Sequence, residues 1–369
     1  MKVGFYSPLP PARTGVADYS AALVAALRPL GELEVNPRKA DVALYHIGNN
    51  RLHREIYRRA LETPGVVVLH DAVLHHFLLG VLSEREYIAE FVYNYGGWTE
   101  DLARDLWKRR ARSAVDPLYF RYPMLKRLAE RSRATIVHNP RAAAMVRSHA
   151  TDAAVFEIPH LFAAPSEPPA ASDIVRLRQR LGIHGRTFLF AVFGHLRESK
   201  RLASVSRAFQ RARRGAEMAL LVAGDFVSSD LERSLDPLLR TIPGILRVGF
   251  TEEPEFWRHA AASDACVNLR YPAAGETSGI SIRMMGIAKP VLMSDGLETS
   301  RFPEAACLRV DTGVVEDEML AEYMLWMARF SGDAKAIGQR AAEYIREQHA
   351  PERVARLYWD ALLSCYHKS

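Results

Sequence analysis

Residues 187–201 read TFLFAVFGHLRESKR, and their pattern is the clearest indication of the fold class. Its apolar first half predicts a buried β-strand over Thr187–Phe193, which ends at Gly194. A short polar loop follows, and the apolar spacing after it predicts a helix over Arg201–Arg213. A strand, a glycine turn and a helix in this order are typical of one βα unit of a parallel sheet.

The same alternation of short apolar runs and longer amphipathic runs continues on both sides of this unit. The strands predicted around it are Val3–Tyr6, Asp41–His46, Val66–His70, Thr135–His138, Val155–Ile158, Met218–Ala223, Leu246–Gly249, Ala265–Leu269 and Val291–Ser294. The helices predicted between and after them include Tyr19–Leu27, Arg141–His149, Glu255–Ala262 and a C-terminal stretch, Asp333–Tyr366, interrupted near Pro351. The pattern therefore predicts an α/β chain with parallel sheets covered by helices.

The segment Pro159–Ser172, PHLFAAPSEPPAAS, is rich in proline, alanine and serine and has neither a helical nor a strand period. This composition predicts a linker between two domains. A chain of 369 residues is long enough for two domains of ordinary size. We therefore predict domains at 1–165 and 166–345, followed by a C-terminal helix at 346–369.

The composition is that of an ordinary globular protein, with 49% apolar and 25% charged residues. No apolar run is long enough to span a membrane, and the apolar part of the N-terminal MKVGFYSPLP is too short for a secretory signal. The three cysteines, Cys266, Cys307 and Cys365, form no CxxC pair, which disfavours a zinc site or a disulfide framework. We therefore expect a cytoplasmic location.

The formal net charge of +6 is unevenly distributed. Between Arg104 and Arg133 the chain has ten Lys or Arg residues and three acids, a local charge of +7. One interpretation is a solvated helical face, and the other is a surface for an anionic partner, such as a lipid headgroup or a lipid-phosphate acceptor. The second would give peripheral contact with the inner membrane surface. Nucleic acid is disfavoured as a partner, because no nucleic-acid motif accompanies the basic residues.

The loop that ends the opening stretch combines a glycine with several cations before a helix start. Glycine lets a ligand approach the backbone, and a helix N-terminus presents free N–H groups with a partial positive charge. His195, Arg197, Lys200 and Arg201 add positive charge beside it. This arrangement predicts a diphosphate site. Basic residues around a loop are also common on solvated surfaces, and the local pattern alone leaves both interpretations open.

A second loop whose residues could bind a ligand is LRYPAAGETSG, residues 269–279. It lies between a predicted strand and a helix predicted to start at about Ile280. Thr277 and Ser278 are good helix N-caps, and their hydroxyls and the nearby amides, including that of Gly279, could bind phosphate or sugar oxygens. Glu276 could bind a ligand or could simply be an acid that favours the helix start.

At this separation the two loops resemble those of retaining GT-B glycosyltransferases of family four. Lys200 lies six residues after Gly194, where that family has its phosphate-binding lysine. Other stretches that resemble family motifs are Ala223–Asp225, Val248–Thr251, Ala262–Leu269 and Ile287–Val291. The Gly-Glu-Thr-Ser run at 275–278 is similar to a variant found in a subset of the family.

The resemblance implies a GT-B fold, with two Rossmann-like domains facing a central cleft. The N-terminal domain would be the acceptor side, the C-terminal domain would bind a nucleotide sugar, and the final helix would cross back to the first domain. The implied activity is retaining transfer of a hexose from a GDP-, UDP- or other nucleoside-diphosphate sugar to a glycan, lipid-linked or small-molecule acceptor. No metal is implied, and the sequence contains no Asp-x-Asp triplet.

Two positions depart from the common family pattern. His195 stands where an arginine is usual, so the donor phosphate would meet a weaker cation. Of the family's two glutamates, the first corresponds to Glu276 if one residue is deleted, or to Gly275 in strict register, and the second corresponds to Arg283. In the family the second glutamate contacts the ribose. Arg283 cannot accept a hydrogen bond, so it would bind phosphate or pair with Glu276 instead.

The first domain carries matching motifs. The loop Ser7–Tyr19 resembles the family's first loop, whose glycine lets the backbone approach the donor phosphate, and Gly15 is the candidate. His70 and Asp71 follow a predicted strand, where clefts form in parallel sheets. A strand-end histidine can also be purely structural. His75 and His76 follow in the next helix, and we interpret them as packing residues.

The resemblance also implies roles for individual residues. Lys200, helped by Arg197, His195 or Arg283, would stabilise charge on the diphosphate, and Gly194 would let the phosphate approach. Phe250 lies in the turn that would meet the nucleotide base. Glu276 and the Thr277–Gly279 amides would orient the sugar hydroxyls. The predicted catalytic residues are His70, Asp71, Lys200 and Glu276.

Three other functions remain compatible with the pattern. A sugar-nucleotide epimerase or phosphorylase would share the fold, and so would a non-catalytic protein that binds a sugar nucleotide or scaffolds a partner. A nicotinamide enzyme is disfavoured, because no Gly-x-Gly-x-x-Gly fingerprint occurs.

Overall fold

A computed structural model describes residues 1–12 and 14–367; Arg13, in the first loop, lies outside the described residues. The chain divides into two compact units. Unit 1 comprises Met1–Leu161, Pro272–Thr277 and Gln348–Ser369, and unit 2 comprises Phe162–Tyr271 and Ser278–Glu347. The loop 272–277 thus belongs to unit 1, although the chain on both sides of it belongs to unit 2.

Unit 1 alternates strands and helices from its first residues. Its elements up to the linker are β1 (Val3–Tyr6), α1 (Gly15–Leu27), β2 (Leu33–Val35), β3 (Val42–Ile47), α2 (Arg54–Glu62), β4 (Val66–Leu69), α3 (His75–Val81), α4 (Glu84–Tyr95), α5 (Glu100–Lys108), α6 (Leu118–Arg121), α7 (Lys126–Arg131), β5 (Ala134–Val137), α8 (Pro140–His149) and β6 (Val155–Glu157).

Unit 2 repeats the alternation, and the last helix returns to unit 1. The elements are α9 (Ala171–Arg180), β7 (Phe188–Phe193), α10 (Leu202–Ala212), β8 (Met218–Ala223), α11 (Ser229–Thr241), β9 (Ile245–Val248), α12 (Glu253–Ala262), β10 (Ala265–Asn268), α13 (Gly279–Gly286), β11 (Val291–Ser294), β12 (Leu308–Val310), α14 (Glu316–Arg329), α15 (Ser331–Gln348) and α16 (Pro351–Tyr366). The predicted strands are confirmed to within two residues, and two short strands, β2 and β12, were not predicted.

Each unit contains one six-stranded sheet whose neighbouring strands are all parallel. The strand order is β2-β1-β3-β4-β5-β6 in unit 1 and β12-β11-β10-β7-β8-β9 in unit 2. The order reverses direction between β1 and β3 in the first sheet and between β7 and β10 in the second. In such sheets ligands bind outside the carboxyl ends of the strands at the point of reversal. The topology therefore selects one place in each unit where a site is expected.

The C-terminal helix α16 is part of the unit 1 core. Val354 and Leu362 are fully buried and pack in one cluster with Val3 and Phe5 of β1. The hydroxyls of Tyr358 and Tyr19 are 2.8 Å apart in the same buried layer. Within the described residues, no helix combines the length and the apolar character that crossing a bilayer requires.

Candidate functional site

In unit 2, glycines in the turns after β7 and β8 allow the two backbone segments to approach each other closely. Gly194 has φ +87°, which favours glycine, and Gly224 after β8 has φ +138°. A Cβ on Gly224 would lie 2.1 Å from the carbonyl oxygen of Gly194, so any side chain there would displace the turn. The Gly194 amide donates to the Ala223 carbonyl at 3.0 Å. The glycines therefore keep the carboxyl ends of β7 and β8 closely packed.

Lys200 lies at the point where the unit 2 sheet reverses, and its side chain is buried, with only 3% of the residue exposed. Its Nζ donates to the Phe193 carbonyl oxygen at 2.7 Å and to Asn268 Oδ1 at 3.3 Å. These acceptors end β7 and β10, the two strands that flank the reversal. A buried ammonium is costly unless polar groups compensate it, and these two acceptors provide that compensation. Its position at the strand-end edge makes Lys200 a candidate site residue.

Asn268 connects this lysine to the start of α13. Its Nδ2 donates to Ser278 Oγ and to Ser281 Oγ, each at 2.7 Å. Ser278 Oγ also accepts from the Ser281 amide at 3.3 Å, which makes Ser278 the N-cap of α13, and Gly279 is the first residue of that helix. The helix N-terminus, with its partial positive charge, is thereby fixed through one amide side chain to Lys200.

The remaining cations of the loop differ in their surroundings. Partial desolvation, together with the neighbouring cations Arg197 and Lys200, lowers the pKa of His195, so this imidazole is neutral at neutral pH. Arg197 is exposed. Arg201 pairs through Nε with Glu316 Oε1 at 2.9 Å, and Glu316 is buried. Arg201 is therefore held by its own unit, whereas Arg197 extends into solvent.

The turns after β8 and β9 meet at the same edge. The Phe250 amide donates to Asp225 Oδ1 at 2.9 Å, and the Phe250 ring is exposed. Arg283 of α13 pairs with Glu253 in the first turn of α12 and lies 3.8 Å above the Phe256 ring. Arg283 is therefore next to the turn that was predicted to meet the base, and its carboxylate partner in this unit is Glu253.

In unit 1, the loop 272–277 packs beside the end of β4. The Ala274 carbonyl accepts from the amides of Ala72 and Val73 at 2.8 and 2.9 Å. Gly275 has φ +71°, and a Cβ there would lie 2.7 Å from the Ala72 Cβ. A glycine is thus required at this position by both its φ and the close contact.

Asn139 fixes the other side of this loop. Its Nδ2 donates to the Gly275 carbonyl and to Thr277 Oγ1, both at 3.0 Å. Thr277 Oγ1 in turn donates to the His138 carbonyl at 3.3 Å. The carboxylate of Glu276 accepts from the Ala274 amide at 2.6 Å. The loop carrying Glu276 is therefore anchored in unit 1 on both sides.

His70 and Asp71 lie at the carboxyl end of β4, in the same part of unit 1 as Ala72 and therefore beside the anchored loop. The His70 amide donates to the Ile47 carbonyl at 2.9 Å, and His70 Nε2 is 2.9 Å from His46 Nδ1. Asp71 Oδ2 accepts from the Asn49 amide at 2.8 Å. The ends of β3 and β4 are thus tied together through the two predicted catalytic residues of this unit.

A group of histidines lies next to His70 in unit 1. His46, His138 and His160 contact the Tyr19 ring. His53 Nδ1 bonds the His46 carbonyl, and His349 Nδ1 bonds the His160 carbonyl. Burial lowers the pKa of His53, His138 and His349 to about 4. It also holds the pKa values of His46 and His70 well below the usual range, with neighbouring histidines adding to the effect.

The other predicted residues of unit 1 have simpler surroundings. Gly15 is the first residue of α1, and a Cβ on it would meet nothing within 4 Å. His75 bonds Tyr87 Oη at 2.7 Å and the Tyr122 carbonyl at 2.9 Å, and His76 bonds the Ser113 carbonyl at 2.9 Å. Both histidines contact the buried Tyr119 ring, in agreement with a packing role.

The structure distributes the predicted site residues between the two units. Unit 1 contains Gly15, His70, Asp71, Glu276 and Thr277, and unit 2 contains Gly194, His195, Arg197, Lys200, Phe250, Ser278, Gly279 and Arg283. Sequence reasoning missed three polar residues that organise these sites: His46, Asn139 and Asn268. Each is a buried polar residue in a strand or within two residues of its end, which is the signal that could have identified them. The described residues include no group of three or more His, Cys, Asp or Glu side chains arranged to hold a metal ion.

No family model matches the chain, and no curated protein matches it. Solved structures do match. Sucrose-phosphate synthase from Thermosynechococcus elongatus has a TM-score of 0.71 at 15% identity, over 100% of both chains. HepE from Anabaena, in complex with UDP-glucose, has a TM-score of 0.66 at 14% identity, over 99% of this chain and 100% of its own. WaaG, a glycosyltransferase involved in lipopolysaccharide biosynthesis, has a TM-score of 0.62 at 12% identity, over 96% of this chain and 99% of its own.

The likeness at these identities concerns the fold, and one fold can host several reactions. A putative UDP-N-acetylglucosamine 2-epimerase from Listeria monocytogenes also matches, with a TM-score of 0.57 at 12% identity, over 100% of this chain and 97% of its own. Two units with six-stranded parallel sheets and flanking helices, matched over nearly the whole chain, identify the fold. The chain has the GT-B fold, with two Rossmann-like units.

Proposed function

We propose that this chain is a glycosyltransferase that transfers a hexose from a nucleoside-diphosphate sugar to an acceptor, with retention of configuration. The observation that carries the proposal is the buried Lys200 at the reversal point of the unit 2 sheet, bonded to the ends of both flanking strands. The HepE structure contains UDP-glucose, which supports a sugar nucleotide as the ligand class. The base and the sugar stay open, with GDP, UDP and other nucleoside diphosphates as candidates.

The donor diphosphate would bind at the carboxyl edge of unit 2. Lys200 and the α13 N-terminus, with Ser278 and Gly279, supply positive charge there, and Gly194 leaves room for a phosphate against the backbone. Arg197 adds an exposed cation, and the neutral His195 a hydrogen bond. Phe250 would contact the base, and Arg283, held by Glu253, would lie beside it.

The chemical step follows from where charge develops. As the glycosidic bond breaks, negative charge grows on the β-phosphate, and a fixed ammonium in a poorly solvated place stabilises it more strongly than a solvated one. We propose that Lys200 supplies most of this stabilisation and that no metal is required. The acceptor would attack from the side of the leaving group, with the phosphate taking its proton. His70 or Asp71 would position the donor sugar or the acceptor, and Glu276 and Thr277 would orient the sugar hydroxyls. Gly15 would let the backbone approach the donor phosphate.

The decisive experiment is a transfer assay with each sugar nucleotide against glycan, lipid-linked and small-molecule acceptors. We expect transfer from one nucleotide class, an anomeric configuration in the product equal to that of the donor by NMR coupling constants, and an unchanged rate in EDTA. Inverted product would overturn retention, and loss of activity in EDTA that Mg²⁺ or Mn²⁺ restores would overturn metal independence. Isomerised nucleotide or sugar phosphate formed without acceptor would indicate an epimerase or phosphorylase. Donor binding with no turnover would indicate a non-catalytic binding protein.

We also propose that unit 1 contacts anionic lipid through its basic segment, residues 104–133. Several cations in it pair with acids, for example Arg109 with Asp105 at 2.9 Å. Lys108, Arg112 and Arg121, in contrast, are exposed and have no ion pair with any residue in the described ranges 1–12 and 14–367. Val115, an apolar residue in the same segment, is also exposed. Exposed cations beside an exposed apolar side chain suit the surface of an anionic membrane.

The triple variant Lys108→Glu, Arg112→Glu, Arg121→Glu should therefore lose binding to phosphatidylglycerol-containing vesicles. Each cation near such a surface contributes about 1 kcal/mol, so losing three of them should lower partitioning by about a hundredfold at low salt. The measurement is vesicle co-sedimentation at low and high salt. The matched control is Arg180→Glu, Arg186→Glu, Arg214→Glu, which changes the charge equally on exposed positions of unit 2. Equal loss in both triples, or sedimentation indifferent to lipid charge, would contradict a lipid surface on this segment.

A further inference from the structure

His46 and His70 form a hydrogen bond between two neutral imidazoles, and their surroundings decide which ring donates. His46 Nδ1 and His70 Nε2 are 2.9 Å apart, with the two rings nearly parallel. Either nitrogen could carry the shared proton, because each imidazole nitrogen donates in one tautomer and accepts in the other. If His70 donates, the proton of His46 must be on Nε2. If His46 donates, Nε2 of His46 carries only a lone pair.

The environment of His46 Nε2 excludes a proton on it. His46 is fully buried against the Phe5 ring, 4.5 Å between centroids, and its Nε2 has no hydrogen-bond partner in the part of the chain that the structure describes. An orphaned buried N–H is rarer and costlier than an unused acceptor lone pair. The proton of His46 therefore belongs on Nδ1, where it has an acceptor.

The neighbouring histidines follow the same pattern independently. His53 Nδ1 faces the His46 carbonyl at 2.9 Å, and His138 Nδ1 faces the Ile158 carbonyl at 2.9 Å. A carbonyl only accepts, so both rings must carry their proton on Nδ1. Their Nε2 atoms are buried and have no partner among the described residues, like that of His46. All three rings thus carry the proton on Nδ1, and their Nε2 atoms are unprotonated.

We infer that His46 is a positioning residue, which donates to His70 Nε2 and thereby fixes His70 as a hydrogen-bond donor through Nδ1. A neutral His70 that accepts at Nε2 must carry its own proton on Nδ1. That atom has no hydrogen-bond partner in the described ranges, and His70 is only partly buried at the carboxyl end of β4. His70 therefore offers its ligand an N–H and no free basic nitrogen.

This assignment restricts what His70 can do. It cannot act as a general base, because its only lone pair is used by His46. Its ligand must present an acceptor, such as a hydroxyl or ring oxygen of a sugar or a phosphate oxygen. The identity of that ligand as a sugar rests on the proposed function, whereas the tautomer does not. The role of His46 is thus comparable to that of the carboxylate or carbonyl partners that fix the tautomer of functional histidines elsewhere.

The test is long-range ¹H–¹⁵N NMR of protein labelled at histidine nitrogen, at a pH where His70 is neutral. The His70 signal is assigned by its loss in His70→Asn. We expect a protonated Nδ1 and a bare Nε2 in the unchanged protein. His46→Asn keeps a donor at the Nδ1 position and should preserve this pattern. His46→Leu removes the donor, so His70 should populate both neutral tautomers. A bare Nδ1 on His70 in the unchanged protein would overturn the inference, whether or not the protein transfers sugar.

Activity gives a second readout if transfer is detected. His46→Leu should lower kcat/KM by about tenfold, the value of one neutral hydrogen bond, and His46→Asn should restore most of it. Full activity of His46→Leu with an altered tautomer would show that His70 does not bind the reacting ligand, which would overturn its donor role. If His46→Leu fails to fold, the NMR spectra of the unchanged protein and of His46→Asn still decide the tautomer.

Discussion

Lys200→Met should lower kcat/KM for glycosyl transfer by about 10²–10³-fold, the usual effect of removing one group that stabilises developing negative charge. Methionine fills a similar volume, so the variant loses the ammonium and little packing. The Phe193 carbonyl and Asn268 Oδ1 lose a donor, and a moderate fall in melting temperature is expected. Transfer kinetics measure the first effect, and the rise in melting temperature on adding donor measures donor binding. Donor at a hundred times its Kd should stabilise the unchanged protein by about 2.7 kcal/mol and the variant much less.

Lys289→Met is the matched control for this experiment. The Lys289 ammonium also donates to two carbonyls, those of Ala261 at 2.9 Å and Ser263 at 2.6 Å, and burial lowers its pKa. It precedes β11, so it lies at the amino end of the unit 2 sheet, opposite the proposed site. The control should be destabilised to a similar degree and should bind donor normally. Equal loss of donor binding in both variants, or normal turnover by Lys200→Met, would contradict the role assigned to Lys200.

The strands could be predicted from the sequence because central parallel strands are buried on both faces and therefore appear as continuous apolar runs. Met218–Ala223, for example, is apolar throughout and fully buried. The two missed strands, Leu33–Val35 and Leu308–Val310, have only three residues each, and both form the edge of their sheet. A run of three residues is too short for the spacing of its apolar residues to indicate a strand.

The candidate site was predictable where it depends on spacing along the chain and not where it depends on tertiary contacts. The position of Lys200 after Gly194 could be predicted from the loop alone. Its burial could not, because it depends on Asn268, 68 residues away. The ion pair between Arg283 and Glu253, thirty residues earlier in the chain, was not predicted either, because it also depends on tertiary contact.

The loop 272–277 shows the same limit. Its composition predicted a ligand-binding turn before a helix, but not that it is held by Asn139 and by the amides that follow Asp71. Those contacts place Glu276 in unit 1 with His70, although the neighbouring Ser278 caps a helix of unit 2. Local sequence contains no information about which unit will bind a loop of six residues.

Unit 1 should lose most of its stability between pH 8 and pH 5, because its buried histidines are neutral when folded. The pKa values of His53, His138 and His349 fall from an unfolded value near 6.5 to about 4 in the folded protein. The unfolded chain therefore binds more protons as the pH falls below 6.5, and stability decreases from there towards pH 4. At pH 5 each of the three should cost about 2 kcal/mol, and together they approach the whole stability of a typical domain.

Hydrogen-exchange mass spectrometry can measure this effect in each unit separately, after correction for the intrinsic exchange rate. Peptides from Val42–Ile47 in unit 1 should lose protection on acidification, whereas those from Met218–Ala223 in unit 2 should lose little. His53→Asn retains a donor to the His46 carbonyl and removes one titrating group. The variant should be less stable at pH 8, but the decrease between pH 8 and pH 5 should be smaller by about 2 kcal/mol. Equal acid sensitivity of both units, or an unchanged pH dependence in His53→Asn, would mean that the histidines of unit 1 are not the groups that take up the protons.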